Sequence, residues 1–140
     1  MPVDEDNVAR RLAGVGSALL RSKPHAFTPT LLVAEVEDMR AAASIYKVVA
    51  GQTVYVFPDN GALLLDRLLY LWAAWEPDDR WWTIEYLLRD GAFDVAYRRS
   101  DRHNPEGDDA ARRAAVERAF GNQPVRYPPG VVIGETYPRG

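Results

Sequence analysis

The chain has 140 residues, 47% of them hydrophobic, and a formal charge of −3, which describes one domain with enough apolar content for a core and excludes a strongly basic nucleic-acid binder. It has no cysteine, so disulfides, thiolate metal sites and cysteine nucleophiles are excluded, which suits a cytoplasmic protein. The start, MPVDEDNVARR, is acidic where a signal peptide is basic, and the longest apolar cluster, Leu63 to Trp75, contains Asp66 and Arg67, so neither export nor a membrane span is expected.

Asp4 to Ser22 carries Val8, Leu12, Val15 and Leu19 at helical spacing, an amphipathic helix capped near Asp4 or Asp6. Lys23-Pro24-His25 and Thr28-Pro29 break it. Thr30 to Asp38 then alternates, Leu32, Ala34 and Val36 against Val33, Glu35 and Glu37, as a half-buried strand does. Strands at Ala43 to Val49 and Thr53 to Phe57, joined at Ala50-Gly51-Gln52, complete a meander. Pro58-Asp59-Asn60-Gly61 supplies a helix start with a capping side chain. The helix runs from about Ala62 to Glu76, where Pro77 stops it; its rows, Leu64, Leu68, Leu71 and Trp75 beside Leu65, Leu69 and Trp72, are wide enough to be buried against the sheet.

Trp81 to Arg99 reads as a hairpin, because Asp90-Gly91 suits the two left-handed positions of a type I′ turn. Arg89 then faces Ala92, Leu88 faces Phe93, Tyr86 faces Val95 and Ile84 faces Tyr97. One face, Trp82, Ile84, Tyr86, Leu88, Phe93, Val95 and Tyr97, is the expected core side. The other, Trp81, Thr83, Glu85, Leu87, Asp94, Ala96 and Arg98, is mixed, so Trp81 needs cover from the C-terminal strap or from a partner. After a polar loop, Ser100 to Gly107, a last helix spans roughly Asp108 to Phe120, with Ala111, Ala115, Val116, Ala119 and Phe120 inward and Gly121 just past its end. The order αβββαββα with short links predicts an α+β fold, an antiparallel sheet packed by three helices. Residues 1–125 form the domain, and 126–140 an irregular strap with a loose end.

No residue pattern names a chemistry. His25 and His103 stand in loops without clustered ligands, and no metal or other cofactor is expected. Ser17, in Gly14-Val15-Gly16-Ser17, lies inside a helix, so it is not a nucleophile elbow; these glycines serve close helix packing. Glu85 and Asp94 share a face and resemble a carboxylate pair, but Arg98 and Thr83 beside them favour a surface ion network. Asp78-Asp79 and Asp108-Asp109 lack a calcium-loop spacing. Charge is uneven: from Glu76 to Asp109 ten acids oppose five arginines, whereas from Ala110 to Gly140 two acids oppose five arginines.

The second half resembles the YezG-like immunity proteins, small bacterial antidotes to polymorphic toxins. The matching residues are Trp82 and Tyr86, Asp90-Gly91-Ala92-Phe93-Asp94, Tyr97, Arg112-Arg113 and Phe120-Gly121, covering Leu63 to Tyr127. Many relatives continue the return strand with acids, where this chain has Arg98-Arg99 before Ser100-Asp101. The resemblance implies a non-enzymatic protein that occludes a cognate toxin, such as a nuclease, without contacting nucleic acid or membrane. Trp81, Glu85, Asp94, Arg98, Asp101, Asp108 and Asp109 are then the candidate partner-binding residues, since acids offset a basic groove and speed association. The alternatives are a non-catalytic adaptor or chaperone for a secreted effector, and a small hydrolase using His103 with Asp101, Asp108 and Asp109.

Overall fold

The computed structural model describes residues 4–23, 25–37, 40–57, 59–98, 105–122 and 124–127, with residues 40 and 105–109 described by their backbone alone. In chain order the elements are α1 (Glu5–Arg21), β1 (Thr30–Glu37), β2 (Arg40–Val49), β3 (Gln52–Val56), α2 (Gly61–Trp72), a short 3-10 turn (Pro77–Asp79), β4 (Thr83–Arg89), β5 (Ala92–Arg98), α3 (Pro105–Phe120) and β6 (Val125–Arg126). The fold is α+β with the expected order of helices and strands. Its strands form one sheet in the order β5-β4-β1-β2-β3-β6, antiparallel except where β6 adds to β3. No helix among the described residues is long and apolar enough to cross a membrane.

Local chemistry accounts for most boundaries. The Asp4 carboxylate accepts from the amides of Asp6 and Asn7 and caps α1, whose predicted stripe Val8, Leu12, Val15 and Leu19 is buried. Asn60 departs from its expected role. It precedes α2, but its side chain makes no capping bond; its Nδ2 donates instead to the Ala18 carbonyl at 3.0 Å and ties the start of α2 to α1. The α-helix ends at Trp72, and turns at Ala74 and Trp75 finish the segment expected to be helical as far as Glu76.

Two apolar clusters lie on opposite faces of the sheet. Leu32, Ala34 and Val36 of β1 join Ile45, Val56, Ile84 and Tyr86 beneath α1 and α2. Leu31, Val33 and Tyr46 join Ala115 and Val116 of α3 on the other side. Hence β1 is buried on both faces and not half-buried, because pairing with β4 and β2 centres it while α3 covers its second face. Arg126, placed by sequence in the irregular strap, pairs with Val54 as part of β6, a two-residue strand too short to show a period.

Candidate partner-binding face

The hairpin has the predicted register throughout the described pairs, from Arg89 opposite Ala92 to Ile84 opposite Tyr97. Asp90 and Gly91 stand at φ 56° and 77°, the left-handed conformation that a type I′ turn demands. This register sets the two faces of β4 and β5 and with them the candidate site.

The tryptophans exchange the roles expected of them. Trp81 is 1% exposed and belongs to the core beneath α1 and α2, whereas Trp82 is half-buried. Strand geometry begins only at Thr83, so the two-residue alternation does not extend back to Trp81. Its ring packs edge-on to Trp75 and tilted against Tyr97, and its carbonyl accepts from Trp72 Nε1 at 2.8 Å. Trp81 is therefore withdrawn from the partner-binding set: Trp75 and Tyr97 pack against it, and residues 128–140 of the strap expected to cover it lie outside the described residues. Phe93 and Tyr97, expected in the core, remain 39% and 37% exposed because β5 is the last strand of the sheet. Burial of the rest of Tyr97 still pushes its hydroxyl pKa up to about 12.

On the α3 side, Glu85 is an ion-pair node. Its Oε2 accepts from Arg98 Nε at 2.9 Å and from Arg118 Nη2 of α3 at 2.6 Å. Asp94 faces Leu87, two pairs along the ladder from Glu85 opposite Ala96, so the expected ion network forms without Asp94 completing a catalytic carboxylate pair. A second pair joins Arg112 Nη2 to the buried Glu35 Oε1 at 2.6 Å. Arg89 Nη2 donates to the Ala119 carbonyl at 3.0 Å, placing positive charge at the C-terminus of α3. Arg112, Phe120 and Gly121 thus dock and close α3: Phe120 packs on the second cluster, and Gly121, at φ 89°, donates to the Glu117 carbonyl.

Asp94 and Arg98 are exposed, as is Asp90 at the tip. Glu85, Asp94 and Arg98 therefore share the α3-side face of the hairpin. Asp101 and His103 lie outside the described residues, and the side chains of Asp108 and Asp109 are likewise not described. Among the described residues no three His, Cys, Asp or Glu side chains gather as metal ligands. His25 contributes its backbone carbonyl, which accepts from Lys47 and Thr28.

Lys47 is the polar residue that sequence analysis passed over. It is fully buried, and its Nζ donates to the Ser22 carbonyl at 2.9 Å and the His25 carbonyl at 3.2 Å, placing positive charge at the buried carbonyl end of α1. Desolvation pushes its pKa down to about 8, with Asp59 acting in the opposite direction. The signal was its phase: Ile45, Lys47 and Val49 alternate on one side of β2, so the lysine shares the core face.

No protein-family model matches this chain, and no curated protein matches it.

Proposed function

We propose that this chain is an immunity protein: it binds a cognate bacterial toxin in the cytoplasm of the producing cell and blocks it by occlusion, without catalysis. The observation that carries the reading is the outer hairpin strand, along whose edge lie exposed Asp94 and Arg98 on the α3 side, the half-exposed rings of Phe93 and Tyr97 on the other side, and exposed Asp90 at the tip. Aromatic anchors bordered by charge are the composition of binding surfaces. The motif residues of the resemblance support the reading at the level of fold, because Tyr86, Arg112 and Phe120 hold the core and α3 in place behind that surface. A basic toxin groove, as a nuclease has, complements the acids. Asp94 and Arg98, with Glu85 behind them, belong to the described part of the proposed interface; the side chains of Asp101, Asp108 and Asp109, the remaining candidates read from the sequence, lie outside what is described.

Charge reversal tests this surface. Asp90→Lys combined with Asp94→Lys is expected to slow association with the toxin by about tenfold or more and to reduce protection of toxin-expressing cells. Both side chains are exposed, so the structural cost expected is about 1 kcal/mol for lysine at the left-handed turn position of Asp90, a small drop in the thermal melt that Asp94→Lys alone should not show. Full protection by the folded double variant would remove these acids from the interface.

A further inference from the structure

The outer edge of β5, whose Asp94 and Arg98 the toxin reading also uses, carries a second inference. The two-residue turn makes Arg89 and Ala92 a hydrogen-bonded pair, and alternation then makes Leu87:Asp94, Glu85:Ala96 and Thr83:Arg98 bonded pairs as well. The Trp82 carbonyl, accepting from Val36 on the β1 side, has the matching phase, whereas the Trp82 amide turns to the Arg98 carbonyl at 2.8 Å, so the regular alternation begins at Thr83. The amides and carbonyls of Phe93, Val95 and Tyr97 therefore point away from the sheet, and among the described residues no strand lies beside them. Natural edges are blunted by proline, charged side chains, bulges or short strands. This one is seven residues long, AFDVAYR, with no proline and an uninterrupted register, and its two charges, Asp94 and Arg98, are of opposite sign.

Its sequence is also complementary to itself. If β5 pairs antiparallel with a second β5 about a two-fold axis at Ala96, Val95 and Tyr97 become mutually hydrogen-bonded partners, using the amides that point outward. Ala96 then meets Ala96, and Asp94 of each copy lies opposite Arg98 of the other, two ion pairs made by one register. Shifting the axis to Asp94 would oppose like charges, which is unfavourable across strands. We infer that β5 is a homodimerisation edge, joining two copies into one continuous sheet through Asp94–Arg98 pairs about Ala96.

The test is mass and register. Sedimentation across a concentration series should show the weight-average mass rising from the 15.7 kDa chain toward twice that value. Asp94→Arg should weaken the dimer about tenfold or more by placing arginines opposite Arg98, and Asp94→Arg combined with Arg98→Asp should restore it. Val95→Pro removes an outward amide while leaving the bonds to β4 intact, so a folded variant should remain monomeric. Because the chain has no cysteine, Ala96→Cys should cross-link with itself on oxidation and Ala92→Cys should not. A chain that is monomeric throughout, or equal cross-linking of both cysteine variants, overturns the inference. A monomer whose toxin protection is lost in the folded Val95→Pro protein also overturns it and assigns the edge to a strand of the toxin.

Discussion

Gly16→Ala is expected to destabilise the protein by about 2–3 kcal/mol, even though alanine is the better helix former by about 1 kcal/mol. A methyl group at Gly16 would strike the Tyr86 hydroxyl, which donates to the Leu12 carbonyl at 2.8 Å. Tyr86 has nowhere to retreat: it is fully buried, and its ring stacks on Phe93. Gly14, two residues away, provides the contrast. A methyl there would meet the side chain of Arg67, whose flexible end donates to the Gly14 carbonyl at 3.3 Å, so Gly14→Ala risks that long hydrogen bond alone and should be close to neutral. Tyr86→Phe removes the clashing oxygen, and in that background Gly16→Ala should lose most of its penalty, a coupling of about 2 kcal/mol in a denaturant-melt double-mutant cycle. Equal effects of Gly14→Ala and Gly16→Ala would refute this packing.

Lys47 predicts an unusual pH profile. Its folded pKa of about 8 lies below its ordinary value of 10.5. Below pH 8 both folded and unfolded chains carry the proton, and burying the ammonium costs about 3 kcal/mol relative to an unshifted lysine. Between these two values the unfolded chain binds more protons than the folded one, so stability rises with pH. Tyr46, Tyr86 and Tyr97 act in the opposite sense. Burial raises each hydroxyl pKa, so above pH 10 the unfolded chain sheds protons that the folded chain retains, and stability falls. Denaturant melts should therefore show a gain of about 1–2 kcal/mol from pH 8 to about 9.5, and a loss above pH 10. Lys47→Met should abolish the gain and keep the loss. A parent protein with a flat profile between pH 8 and 9.5 would show that the ammonium is not held as described.

These two sites also mark how far the sequence could be read. The hairpin was legible to the residue, because a two-residue Asp-Gly turn leaves one register and every described pair obeys it. The rule failed at Trp81, two residues before β4, where the chain is no longer a strand and the side chain turns into the core. Helical spacing found α1 and its buried stripe, but not which sheet face each helix would cover. That choice made β1 buried on both sides and turned Glu35, placed by alternation on a polar face, into a 5% exposed partner of Arg112. Lys47 stood in phase with the core, but the carbonyls of Ser22 and His25 that explain it are brought together only by the fold. At the candidate face, Glu85, Asp94 and Arg98 were legible as a charged group because alternation places them on one side. Their division of labour was not, since Arg118 reaches Glu85 from a helix distant in sequence.

Neutralisation of a toxin by binding can be checked by co-expressing this protein with the toxin-like product of a reading frame adjacent to its own. Cells that otherwise die should regain growth, together with a stable complex that co-purifies and is weakened by reversing Asp90 and Asp94. A lethal neighbour left unaffected by this protein, with no complex formed, would contradict it.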